Sequence, residues 1–258
     1  MIKKTIFQVV IFCTVSFSLF AQTDSSRVSK MNKAYFKSYF TDTRDIILSP
    51  FHWNTKQWIT VGATGAIAST LIFTEDQNIH NLFQRNRSDL TNNVSKYGLE
   101  PWGRGIYSMG TMAIFYSYGL LAKNNHAKET ALLGLKTFII TGIGVNVAKY
   151  IPERERPYVS DNPFMWYGPE FRKGDFSFPS GHSTSVFAMA AIVASEYHEY
   201  KIVPVIAYSI ASLTALSRIN DNKHWASDVF TGAVFGWAMG KLIYRNSHSK
   251  KGALINID

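Results

Sequence analysis

The sequence predicts an all-α protein: a bundle of about six core helices, membrane-embedded, with its chemistry in loops at one end. Three observations predict this class. Six apolar runs, each about 13 to 18 residues long, follow one another along the chain. Clean period-two runs and Asn-Gly hairpin turns, the marks of strands, are missing. Gly, Ala, Ser and Thr recur inside the runs, notably in "GATGA" and "TGIGV", a composition that lets helices pack closely.

The chain opens on "MIKKTIFQVVIFCTVSFSLFA" (1–21), with Lys3 and Lys4 ahead of an apolar stretch that ends at Ala21. That is the layout of a cleaved secretory signal peptide, although Leu19 is large for its place; an uncleaved anchor is the alternative. Cys13, the only cysteine, lies in this segment, so the mature chain is expected to have no disulfide and no thiol chemistry. A polar stretch with interspersed aromatics (22–57) follows and reads as a linker leading to an amphipathic arm at a membrane surface. The helical domain is expected at 58–246, before a polar tail at 247–258.

The six runs are Trp58–Thr74, Ile106–Ala122, Ala131–Ala148, Ser183–Ser195, Ile202–Ser217 and Val229–Tyr244. They fall at or below the ~20 residues of a spanning helix. Lys136, Asn146 and Lys241 interrupt them, and the mean hydropathy is −0.05. A soluble bundle with a very apolar core shares these traits. Aromatics at the run edges (Trp53, Trp58, Trp102, Trp237 and Tyr244) favour a lipid interface, and membrane embedding is the reading carried forward.

The formal charge is +9, or +7 once Lys3 and Lys4 are gone. The basic residues form no block and no stripe with aromatic platforms, which argues against a nucleic-acid partner. Attraction to anionic lipids or phosphorylated substrates fits the charge better. Nothing in the sequence implies an obligate protein partner.

In an up-and-down bundle, the end of one helix and the start of the next share a side. The polar loops Lys149–His182 and Ser217–Asp228 therefore lie at the same end. Within "FSFPSGHSTS", Pro179 suits a first helical turn, and Ser180 and Gly181 put small residues where free N–H groups and the positive dipole end attract an anion. Lys149, Arg156, Arg218 and a further candidate, Lys223, bring cations, the arginines as planar donor forks suited to phosphate. His182 and His224 can serve as nucleophile and acid, and Asp228, one helical turn after His224, can fix its tautomer. Each residue also has a bland reading. Lys149, Arg154 and Arg156 can be a solvated loop, and Asp228 an exposed first-turn carboxylate.

"KYIPERERP" fits Lys-x6-Arg-Pro, "PSGH" stands as written, and "SRINDNKHWASD" fits Ser-Arg-x5-His-x3-Asp. In these three motifs, in this order, the chain resembles the type 2 phosphatidic acid phosphatase superfamily, over about Trp58 to Tyr244. The resemblance implies that His224 is the nucleophile that forms a phosphohistidine, with Asp228 orienting it. It implies that His182 protonates the leaving oxygen and then activates water. Lys149, Arg156, Ser180, Gly181 and Arg218 would form the phosphate cradle. No metal and no other cofactor is implied. The expected activity is hydrolysis of a lipid phosphate or diphosphate, of the phosphatidate, phosphatidylglycerophosphate, polyprenyl diphosphate or lipid A class, in a bacterial cell envelope with the site facing the periplasm. Alternatives are a soluble periplasmic acid phosphatase, a vanadium haloperoxidase, and a non-catalytic lipid-binding protein, which the presence of His224, Asp228 and Arg218 disfavours. Six crossings after an exported N-terminus would place the site in the cytoplasm instead, a conflict the sequence leaves open.

Overall fold

The computed structural model describes residues 30–249; the expected leader (1–21) and most of the tail lie outside them. Among the described residues the fold is helical, with a lone β-bridge between Arg154 and Trp166. We number the helices α1 (Lys33–Leu48), α2 (Thr55–Thr70), α3 (Asp76–Arg85), α4 (Asp89–Asn93), α5 (Glu100–Gly103) and α6 (Ile106–Leu121). They continue as α7 (Asn125–Lys149), α8 (Gly181–Glu196), α9 (Ile202–Asn220) and α10 (Ala226–Ser249).

All six apolar runs are helical, and polar caps set where they begin. Asn54 and Gln57 form a capping box, so α2 starts ahead of Trp58. The Asn124 side chain accepts from the Ala127 N–H and starts α7 before its apolar run. Ser180 caps α8 by accepting from the Ser183 N–H. Pro179 thus precedes the cap instead of occupying the first turn, as the sequence had suggested. Asp228 reaches back to accept from the Trp225 N–H at 2.8 Å, which starts α10 at Ala226. The same carboxylate belongs to the site.

α8 is the central helix: twelve of its sixteen residues are buried, against α7, α9 and α10. Ile192 packs with Leu133, Ile140, Met239 and Ile243, while Met189 packs with Met112 and Ala131. The closest approach is between α8 and α10. A Cβ added at Gly232, Gly236 or Gly240 would stand 2.5, 2.1 or 2.7 Å from the carbonyl oxygens of Ser180, Thr184 and Ala188. These glycines, one turn apart, let the backbone of α10 lie directly on α8. The glycines of "GATGA" do not mediate close packing: a Cβ at Gly62 or Gly65 would meet nothing within 4 Å.

α1 docks on α7 through polar contacts. Tyr35 donates to the Leu132 carbonyl at 2.9 Å, and the Lys136 ammonium donates to Asp42 at 2.6 Å and to Ser38 at 3.1 Å. Lys136, which breaks an apolar run in sequence, is thus buried and paired. Asn146 donates to the Gly142 carbonyl one turn back, and Lys241 to the Ser195 hydroxyl. Each polar interruption is thus hydrogen-bonded, Lys136 inside the bundle and Asn146 on its exposed face.

α7 and α9 are long and apolar enough to cross a membrane, by length and composition. α2 is apolar as well, yet Ala68 is its one buried residue. It runs on through a π-helical turn (Leu71–Glu75) into α3. Ile143, Val147, Val205, Leu213 and Phe73 also face outward. An apolar surface this extensive calls for lipid around it.

The α8–α10 contact yields a prediction. Gly236→Ala should lower thermal stability in detergent by about 1–3 kcal/mol through overpacking. Gly62→Ala should be neutral or stabilising by up to about 1 kcal/mol, as the better helix former.

Candidate active site

The loop between α7 and α8 and the turn between α9 and α10 meet at one end of the bundle, as the topology predicted. The Ser180 N–H donates to the Asp228 carbonyl at 3.0 Å, which joins the start of α8 to that of α10. The phosphate-binding reading of Ser180 is therefore narrowed: its N–H is already engaged, and its hydroxyl caps the helix. Gly181 and His182, the first two residues of α8, keep N–H groups without intrahelical acceptors.

His224 and Asp228 are both buried, at 1% and 0% exposure. One Asp228 oxygen accepts from Arg154 at 2.6 Å, and the other accepts from the Trp225 N–H and the Ser177 hydroxyl. His224 Nδ1 is 3.7 Å from Asp228 and 3.3 Å from the Ser177 hydroxyl. On the ring's other side, Arg156 Nη1 lies 3.3 Å from Nε2. A guanidinium only donates, so Nε2 is the acceptor and the proton sits on Nδ1. The lone pair of Nε2 faces the cationic side of the site.

The cations differ in what they do. Lys149 closes the loop onto α7 by donating to the carbonyls of Phe176 (2.5 Å) and Ser177 (3.3 Å). Arg156 donates to Asp175 and to the Lys223 carbonyl. Arg218 pairs with Asp221 at 2.8 Å, while its Nε and Nη1 are buried with no partner. His182 Nε2 is buried and unpartnered too. Lys223, by contrast, is exposed at the rim with its ammonium 4.3 Å over the Tyr158 ring.

Sequence reasoning missed Arg154, Asp76 and Gly103 here, as well as Ser177. Arg154, which could have been part of a solvated loop, is fully buried: it donates to Asp76 (2.7 Å), Asp228 (2.6 Å) and Ser227 (2.8 Å). Asp76, at the start of α3, also accepts from the Ser227 N–H and hydroxyl. Gly103 is needed for His182, because a Cβ there would come within 2.6–2.9 Å of the imidazole and its Cβ.

Burial holds His224 well below the usual 6.5, with the fields of Arg156, Lys149, His182 and Arg218 adding to it. Burial, then Arg218, Arg156, Arg104 and Lys149, push His182 down to about 3. Both imidazoles are therefore neutral in the free protein at ordinary pH. The sign for stability follows. The unfolded chain takes up protons below 6.5 that these rings refuse in the fold. Their contribution is complete above that pH and is lost as pH falls toward 3.

Residues 130–251 match the family model described as the PAP2 superfamily. A "Lipid A 1-phosphatase" of Porphyromonas gingivalis is 45% identical over 69 residues, which cover 26% of this chain and 16% of that protein. A Schizosaccharomyces pombe protein named "Probable diacylglycerol pyrophosphate phosphatase 1" is 28% identical over 163 residues, 51% of this chain and 58% of that one. The chain thus spans less than two thirds of the length of either relative. Among solved structures, a transmembrane PAP2 type phosphatidylglycerolphosphate phosphatase from Bacillus subtilis has the same fold, with a TM-score of 0.51 at 19% identity. That match covers 85% of this chain and 96% of the other.

A bound phosphate should oppose the cationic fields on His182 and raise its pKa, so that binding takes up a proton. Calorimetry of phosphate binding at pH 7.5, in buffers of different ionisation enthalpy, should show net proton uptake that His182→Asn abolishes. Zero uptake in the wild type would contradict the electrostatic reading.

Proposed function

We propose that the protein is a metal-independent phosphatase acting on a lipid phosphate or diphosphate through a phosphohistidine on His224. The observation that carries this reading is a set of buried, unpartnered polar atoms at the catalytic end, Arg218 Nε and Nη1 and His182 Nε2, with the Arg218 charge acting on His182. Buried polar atoms are normally satisfied, and a tetrahedral oxyanion would satisfy these.

The steps follow from the tautomer. The Nε2 lone pair of His224 attacks phosphorus as the bond to the leaving oxygen breaks. His182, protonated once the phosphate is bound, gives its proton to that oxygen. In the second half, His182 takes a proton from water as the water oxygen bonds to phosphorus. The P–N bond then breaks, and free phosphate leaves a neutral His224. Arg156, Arg218 and the N–H groups of Gly181 and His182 hold the equatorial oxygens, where charge stabilisation is most effective.

The lipid part of the reading rests on the surface next to the cradle. An apolar groove of about 490 Å³ runs along the outer face of α7 past Phe138, Ile143 and Val147 to Tyr150, the residue after Lys149. The Tyr150 ring packs edge-on against Phe176, whose carbonyl holds the Lys149 ammonium. An acyl chain in this groove would bring its headgroup to the cradle. The two curated relatives are named for lipid phosphates, in keeping with this substrate class. The leader expected at 1–21 supports a periplasm-facing site in the membrane of the cell envelope.

Phosphate release by the full chain in detergent micelles, over a panel of long-chain, short-chain and aryl phosphates, tests the reading. Activity on the long-chain lipids should survive EDTA and vanish in His224→Ala. Gly142 lines the groove and has open space at its Cβ, so Gly142→Leu should slow long-chain substrates while sparing aryl phosphates. Release confined to the aryl phosphates would favour a soluble-substrate acid phosphatase, and loss with EDTA would refute metal independence.

A further inference from the structure

We infer that Ser177 is a positioning residue that couples Asp228 to the nucleophile, its hydroxyl taking the place of a direct carboxylate–imidazole bond; the inference rests on the phosphatase reading above. At 3.7 Å, Asp228 is beyond hydrogen-bond reach of His224 Nδ1. The Ser177 hydroxyl lies between them, 3.3 Å from Nδ1 and hydrogen-bonded to the Asp228 oxygen nearer the ring. With Arg156 fixing the proton on Nδ1, the direction of the chain follows. His224 Nδ1–H donates to the serine oxygen, and the serine O–H donates to the carboxylate.

Ser177 is itself clamped. Its N–H donates to the Arg154 carbonyl at 2.8 Å, its carbonyl accepts from Lys149, and it has no solvent exposure. The hydroxyl therefore needs no reorganisation when charge appears on the ring. As phosphorus bonds to Nε2 the imidazole becomes cationic, and the carboxylate stabilises it through the serine. The proton stays on Nδ1 throughout. Neither Arg154 nor Trp225 can substitute, because both only donate to the carboxylate and touch neither ring nitrogen.

Without the hydroxyl, Nδ1 loses its acceptor and Arg156 alone still favours the proton on Nδ1, so the Nε2–H tautomer, which cannot attack, gains population. The test uses full-length protein in micelles with ¹⁵N-labelled histidine. Ser177→Ala should shift His224 toward the Nε2–H tautomer in the free protein, a signature that a purely structural role would not produce. It should slow the nitrophenolate burst from an aryl phosphate roughly ten- to a hundredfold, the rate equivalent of one lost buried hydrogen bond, with KM nearly unchanged. Ser177→Cys, which keeps a weaker donor in place, should fall between. A wild-type tautomer and burst in folded Ser177→Ala would overturn the inference. If the wild type hydrolyses nothing, the phosphatase reading fails, while the tautomer measurement still decides the part played by Ser177.

Discussion

The site is organised around one buried carboxylate. Asp228 has no solvent exposure, and an ion in that position costs several kcal/mol to desolvate unless it is matched. It is matched by Arg154, the Ser177 hydroxyl and the Trp225 N–H, while its own backbone carbonyl accepts from Ser180. Those four partners come from the long loop, the end of that loop, the start of α10 and the cap of α8. Satisfying one charge therefore fixes the relative positions of both histidines. The glycines of α10 make this possible, since any side chain at Gly232 would push against the Ser180 carbonyl.

The balance of charge explains why the site is reserved for an anion. Lys149, Arg154, Arg156 and Arg218 are buried, and so are Asp76 and Asp228. Arg154 is absorbed by the two aspartates, so its charge is spent on structure. Removing one partner from such a group typically costs roughly 3–5 kcal/mol, which ties α3 firmly to the catalytic end. Arg156 and Arg218 lean on Asp175 and Asp221, each partly open to solvent. Burial, reinforced by the positive field of the neighbouring arginines and Lys149, keeps protons off both imidazoles. In the proposed mechanism, His224 is thus a neutral nucleophile in the resting protein, and His182 becomes the acid when substrate binds.

Much of this was legible in the sequence. The six apolar core helices, the meeting of the two polar loops and the placing of Asp228 beside His224 followed from apolar runs, topology and i,i+4 spacing. What escaped has identifiable reasons. Asp76 lies in "TEDQNIHN", between apolar runs, where nothing marks one acidic residue as buried. Arg154 is one of several charges in "ERERP", and spacing alone does not tell a buried guanidinium from a solvated one. Ser177 sits one residue before the Phe178–Pro179 pair, and its function depends on a distance between two other residues. The glycine contacts were sought in "GATGA", but close packing needs a partner backbone, which α10 has and α2 lacks.

The central claim is that this Asp228-centred assembly presents the Nε2 atom of His224 to phosphorus. Quenching the protein into alkali during turnover of a long-chain lipid phosphate would preserve a phosphohistidine. Peptide mapping with ³¹P NMR would then locate the bond. The account predicts phosphorus on Nε2 in the peptide that contains His224; phosphorus on Nδ1, on His182 or on a carboxylate would contradict it.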